Sequence, residues 1–595
     1  VSTRAVRIGN CSGFSGDRRT AIREILDGDP VDVIVGDYLA EITMAGMVGR
    51  ASSGRGSGWS DDFLAQLDGN LAELLDRGVK LVVDAGAFDP AGLADQVRKI
   101  AAEEGRTVSV VHVEGDNVLD RLDELQAGGH QLTNMDTGEP LSSWPYRPLS
   151  ANAYLGGWGI AAALRAGADV TICPRVTDAS LVVGVAAWWH GWEPTDWDRL
   201  AGAVVAGHVI ECGPQATGGN FSGFNSIPGM DRPGFPVAEV EDSGDTVITK
   251  HAGSGGAVTT DTVIAQLLYE IQGPYYLNPD VTVDLRTTRL DAEAADRVRV
   301  SATTGLAPSP TTKVAITAMN GFENSIETYL TGLDIDEKAD LVLRQARKAL
   351  EGSEASILRV DRIGTAATDP ETMEAAMVTL RIVGRASDQE SLKPANFFAP
   401  VASTILASIP GFHCESHTMR FTRPSPVIQY WPGLLATSQL DHAVVLDDGT
   451  REPVQSPPRT EPPPVEPASI VAPDGPNPFT MHTERVPLGR IAHTRSGDKG
   501  GNSNVGIWVR PGAWTWLRAA LTVETFRDLF PEARELKVSR HEFANLCAVH
   551  FVVHGNLGTG ASSNGRLDAL GKSVGEYLRA RHIDVPRDLL DGGLP

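Results

Sequence analysis

The chain has 595 residues, more than one hydrophobic core usually holds, since cores stop growing near roughly 250–300 residues and chains then divide into domains. With 42% apolar and 22% charged residues, most of it can bury enough surface to offset its ordering entropy, which excludes a largely disordered chain. The formal net charge of -24 excludes nucleic acid and membrane surfaces as general partners, although a few arginines and backbone amides suffice to hold an anionic ligand locally.

From the start, β-branched runs at 5–8, 31–35, 80–83, 107–113 and 169–172 alternate with amphipathic stretches at 18–26, 62–75 and 90–102. This alternation predicts an α/β core domain over residues 1–288 with an open, mostly parallel, doubly wound sheet. The segments after the strands hold Asn10-Cys11-Ser12-Gly13 with Asp17 and Arg18, then Asp37 and Glu41, then Asp84, then Glu114 and Asp116, then Arg175 and Asp178. In an open parallel sheet such loops emerge at one carboxyl edge, where ligands bind. One shared cleft is therefore expected there, with Asp17, Arg18, Asp37 and Glu41 binding substrate.

Arg175 and Asp178 sit between a strand end and a new helix. The guanidinium suits a bidentate carboxylate or phosphate, and Asp178 suits an acid or base, or the N-cap of the helix. His208 and Glu211 share a face if the segment is helical, a spacing for an acid/base pair or two metal ligands, though no third ligand accompanies them. Cys212 reads as a nucleophile or a small buried side chain. Gly218, Gly219 and Asn220 offer backbone amides to an oxyanion, and the glycine-rich stretch from Lys250 to Gly256, leading into a helix at 259–271, offers a cation and exposed amides to an anion.

Beyond residue 288 paired strand candidates at 297–301, 313–318, 357–360 and 377–383, with helices at 337–350 and 396–407, predict an α+β segment over 289–450. Ten prolines lie in 451–479, so residues 451–480 read as an extended linker. Residues 481–595 read as a small α+β domain, with strands at 504–509, 535–539 and 548–554 and helices at 523–530 and 572–581. It opens on a polar loop at 491–504 with His493, Arg495, Asp498 and Lys499, a clustering costly to order without a ligand or an interface.

Five scattered cysteines without a CxxC fit a reducing cytoplasm. The N-terminus runs straight into a strand pattern and no stretch of ~18 apolar residues occurs, so neither secretion nor a membrane span is expected.

The stretches GNCSGFSGDR (9–18), YLAEITMA (38–45), YLGGWGI (154–160), RVTDASLV (175–182), AGHVIECG (206–213) with TGGN (217–220), and GFPVAEV (234–240) resemble the N-terminal domain of the acyclic terpene utilisation (AtuA) family. AHTRSGDKGGNSN (492–504) and HGNLG (554–558) resemble the ferredoxin-like domain that often follows it. One departure is Asp84-Ala85-Gly86-Ala87-Phe88-Asp89-Pro90, where the family commonly has NAGxxNP. The resemblance implies a place in the catabolism of acyclic terpenes and other branched acyl chains through acyl-CoA thioesters. The first expectation is a lyase-type enzyme that hydrates, dehydrates or cleaves a branched acyl-CoA, with Asp178, Glu211, His208 and Arg175 catalytic. Lys250, Arg495 and Lys499 would meet coenzyme A phosphates, beside Asp498. A divalent metal stays open, and homo-oligomerisation follows the base rate for such enzymes. The alternatives are a hydrolase using Ser12 or Cys11, without a GxSxG elbow, and a non-catalytic subunit of a catabolic assembly whose small domain docks in trans.

Overall fold

The computed structural model describes residues 4–51, 54, 56–413, 423–465 and 482–594. Cys414 and residues 466–480 of the expected linker lie outside the described residues. The central strands are β1 (Val6–Asn10), β2 (Val33–Gly36), β3 (Lys80–Val83) and β4 (Val110–Glu114), with β5 (Pro148–Ala153) in a second sheet, then β6 (Val170–Ile172), β7 (Pro236–Val240) and β8 (Thr246–Lys250). Their apolar runs are buried on both faces because helices cover both. Ala21–Leu26, Asp61–Leu67, Leu71–Arg77 and Pro90–Glu103 pack on one side, and Trp158–Arg165, Ser180–His190 and Trp197–Ile210 on the other.

The expectation of a mostly parallel sheet needs correction. Only β1, β2, β3, β6 and β4, adjacent in that order, run parallel. Antiparallel strands extend both edges: β7, β8, Arg297–Ser301 and Arg289–Ala294 beyond β1, and Ala443–Val445 and Arg451–Pro453 beyond β4. The result is an eleven-stranded mixed sheet. Short turns such as the one between Val240 and Thr246 allow antiparallel neighbours that a crossover pattern does not announce.

A second sheet is built on the long strand Thr311–Thr331. One half pairs with β5 and with Ser425–Ala436, the other with Met377–Ala386, which pairs in turn with Ser356–Ile363. Helix Ile335–Ala349 packs on this sheet. A boundary at residue 288 thus falls inside a structure whose two sheets exchange chain in both directions.

The C-terminal unit has a four-stranded antiparallel sheet in the order His493–Lys499, Asn502–Trp508, Ala548–Val553, Val538–Phe543. Its own apolar core is completed by helices Trp514–Ala520, Val523–Leu529 and Val574–Ala580. The stretch expected as a polar loop is therefore a β-hairpin. No helix among the described residues is long and apolar enough to cross a membrane.

Candidate active site

Because β1, β2, β3, β6 and β4 run parallel, the residues after their carboxyl ends converge. Arg175, following β6, is almost fully buried. Its Nη1 donates to Asp178 Oδ1 at 2.7 Å and lies 3.9 Å from Asp84 Oδ2, which follows β3. Its backbone N–H donates to Asp116, which follows β4, at 3.3 Å. The guanidinium carbon sits 4.1 Å from the centroid of the Tyr154 ring. Asp178 is thus an ion-pair partner and not a cap, since the next helix begins at Ser180 with Ala179 at its N-cap.

Asp84 receives the Tyr38 amide at 2.6 Å and stands beside the Asp37 carboxyl, which follows β2. Burial pushes Asp84 up to about 7 against the pull of Arg175. Burial, and then the neighbouring Asp84 charge, raise Asp37 well above the usual carboxylate range. Neighbouring buried carboxyls titrate together, because both charges at once are too costly in a buried site. Asp178 goes the other way: burial would raise it, but Arg175 and Lys499 together hold it below its ordinary value.

Across the cavity stands Glu211, at the C-terminal end of the buried helix Trp197–Ile210. Gly207 lets this helix approach Ala179, where a side chain would come within 2.7 Å of the Ala179 carbonyl. One turn before Glu211, His208 Nδ1 lies 3.2 Å from Glu211 Oε1. The His208 ring packs on Tyr276, with 4.8 Å between centroids, so it orients Glu211 from behind. Burial raises Glu211 despite this contact. Glu211 Oε2, Asp84 Oδ2 and Arg175 Nε are buried without a hydrogen-bond partner.

Two further parts close the cavity. Glu41 receives Lys313 Nζ at 2.6 Å and the Tyr430 hydroxyl at 2.9 Å, both from the second sheet. Burial alone would raise it, but Lys313 and Lys499 bring it down to about 2. From the C-terminal unit, Asp498, Lys499, Leu570 and Lys572 form the opposite wall. Burial and then Glu270 raise Asp498 well above its usual value. The cavity has a volume of about 720 Å³.

This geometry sorts the residues singled out from the sequence. Arg175, Asp178, Glu211, Asp17, Asp37, Glu41, Gly219, Asn220, Asp498 and Lys499 line one cavity, and His208 supports it. Four others are placed elsewhere. Arg18 donates to the Pro233 carbonyl and pairs with Glu24. Gly218 packs against Ile227. Lys250 donates to the Ser254 carbonyl and faces Asp296 at 3.3 Å. Arg495 stacks on Tyr269, 4.0 Å from its centroid, and joins the C-terminal unit to Gln215 and Asn220. The expected phosphate contacts of Lys250 and Arg495 are therefore replaced by structural ones.

Cys11 and Ser12 are wholly buried. Burial pushes the Cys11 thiol up to about 12, and Ser12 donates to the Phe14 carbonyl, so neither is an activated nucleophile. Cys212 borders the cavity, but burial raises its thiol well above the ordinary value too. Among the described residues, no group of three or more His, Cys, Asp or Glu side chains is arranged to hold a metal ion.

The model of the acyclic terpene utilisation family protein AtuA matches residues 6–446. The chain belongs to the AtuA family. The AtuA ferredoxin-like domain matches residues 486–584, which is the C-terminal unit described above. Searches of curated proteins and of solved structures gave no significant match. In this AtuA chain, Asp84, Tyr154, Lys313, Glu270 and Tyr276 reach the site without having been singled out as binding or catalytic. Asp84 alone left a signal, as the acid after a buried strand. The other four are brought in by packing of the second sheet and of the segment before it.

Proposed function

We propose that this AtuA-family chain is an acid–base lyase that adds or removes water across, or cleaves, a carbon–carbon bond of a branched acyl substrate in terpene catabolism. The observation that carries the reading is the gathering of Asp37, Asp178 and Glu211 around the buried Arg175 in one cavity, with Asp84 against the same guanidinium at 3.9 Å. Such chemistry needs a proton donor, a base and a cation near the oxygen that gains charge, all preorganised away from bulk water. Burial and the neighbouring Asp84 charge raise Asp37 well above the usual carboxylate range, which favours its protonated form. Asp178 is held ionised, and Glu211, steadied by His208, faces it as a second proton carrier.

The apolar parts of the cavity suit a branched hydrocarbon. Phe14 and Ile42 stand exposed at its edge. A recess of about 350 Å³ walled by Met47, Trp59 and Phe88 adjoins it through Ser15 and Arg50. A thioester carrier would extend outward past Arg50 and Lys572, since Lys250 and Arg495 are committed elsewhere.

The test is incubation of the purified chain with branched 3-hydroxyacyl and 2-enoyl coenzyme A thioesters, with products followed by mass. Turnover is expected, and Asp37→Asn or Glu211→Gln should lower kcat by ~10²-fold or more. A panel that emerges unchanged would sink the proposal.

A further inference from the structure

Arg50, Arg175, Lys499 and Lys572 line this cavity and Lys313 reaches its Glu41, and they differ in what they have left to give; Lys572 lies over the Tyr269 ring, 5.6 Å from its centroid. Arg175 is committed to Asp178 at 2.7 Å and Lys313 to Glu41 at 2.6 Å. The Lys499 ammonium has no hydrogen-bond partner among the described residues, and its nearest acid, Glu270, is 4.0 Å from Nζ. Yet Lys499 is largely enclosed, facing Tyr276, Glu270, Asp178 and Glu41. With its side chain 24% exposed toward the cavity, this ammonium has three donors not engaged by the protein's own acceptors and open to an anionic ligand.

The hairpin that carries Lys499 is fixed with unusual care. Asn502 donates to Asp136 at 2.8 Å and receives the Gly555 amide at 2.9 Å. Gly500, in the left-handed region at φ 62, turns the chain beside Asp136. Gly497 lies so close to Tyr269 that a Cβ would come within 2.5 Å of its ring. The strand is thus registered against the large domain on both sides of Lys499.

We propose that the C-terminal domain is half of the site, and that its Lys499 is the cation that receives the negatively charged oxygen of the ligand, a carboxylate or the enolate of a thioester. The inference rests on the cavity being the reaction site. It does not depend on which bond is broken. The small domain then selects an anionic acyl compound over a neutral one of the same shape.

The probes are 3-hydroxy-3-methylbutanoate and its neutral amide, titrated calorimetrically into the full chain and into Lys499→Met and Lys499→Arg. A hydrogen bond to a charged group contributes about 1.5–3 kcal/mol, so the wild type should favour the acid by ~10-fold or more. Lys499→Met should lose that preference while still binding the amide, and Lys499→Arg should keep most of it. An unchanged preference in Lys499→Met overturns the proposal, as does equal weakening of acid and amide, which marks Lys499 as domain glue. A wild type that binds neither probe overturns it too. To separate the carboxylate from the enolate, the same variants are assayed for exchange of the α-proton of 3-methylbutanoyl coenzyme A into deuterated water. Acid preference without exchange assigns the carboxylate, and exchange lost with Lys499→Met assigns the enolate. If the acid is bound selectively through Lys499 but no thioester is turned over, the lyase reading fails and this one stands.

Discussion

Asp84 is where a single substitution tests the charge arrangement most directly. Its carboxyl titrates at about 7 in the fold, against an ordinary 3.8. Between those values the folded chain keeps a proton that the unfolded chain gives up, so stability falls as pH rises through the window and levels off above it. Asp84→Asn keeps an oxygen for the Tyr38 amide and removes the ionisation. It should stabilise the protein by on the order of 2–4 kcal/mol above pH 7 and give no such gain at pH 4. Thermal unfolding at the two pH values measures this, and a pH-independent difference between variant and wild type would contradict the assigned ionisation. Asparagine is also what the family motif commonly carries there, so the variant should fold.

The hairpin His493–Lys499/Asn502–Trp508 shows which elements the sequence conceals. Strand β3 and the strand Arg297–Ser301 have the same bounds in sequence and structure, because β-branched residues there announce burial unaided. The hairpin instead reads His-Thr-Arg-Ser-Gly-Asp-Lys, polar and glycine-bearing, and becomes a strand through its partners. Arg495 lies on Tyr269, Gly497 admits Tyr269, and Gly506 admits Leu268. Antiparallel additions such as β7 and β8 were hidden for the same reason: their place depends on what they pair with. Helix Trp197–Ile210 is buried nearly all round and has no polar stripe to display its period. The carboxyl-edge acids were legible because their positions follow from the strands before them. Gly506→Val tests the hairpin as an element. A Cβ at 506 would lie 2.5 Å from Leu268 Cβ, an overlap that should cost about 1–3 kcal/mol. The C-terminal core lies on the other face of the sheet, so the cost should fall on docking. Scattering should show a more extended particle, and ligand binding should fall by ~10-fold or more. A compact particle with full affinity would show that the contact at Leu268 does not hold the domains together.

At the scale of the molecule, the chain can be divided at one place and not at another. A cut at residue 288 strips strands from both sheets: Arg289–Ala294, Arg297–Ser301 and residues 443–453 from the large one, and the partner strand of β5 from the second. A fragment ending there exposes β-edges and apolar faces and should be insoluble. A division between Val465 and His482 severs no sheet. The C-terminal unit has its own core, and it docks by packing Trp508, Phe543, Leu546 and Ala548 into the large domain's apolar core, with hydrogen bonds from Trp508 to Asp261 at 2.8 Å, from Asn545 to the Thr288 carbonyl at 2.8 Å, and from Asn502 to Asp136. Residues 1–465 and 482–595, produced separately, should each fold, and the large fragment alone should lack acid preference because it lacks Lys499. Mixing them should restore it in proportion to the concentration of the small fragment, since the covalent connection contributes mainly effective concentration. If the mixture stays inactive while both pieces unfold cooperatively, the connecting segment has a role in docking beyond tethering.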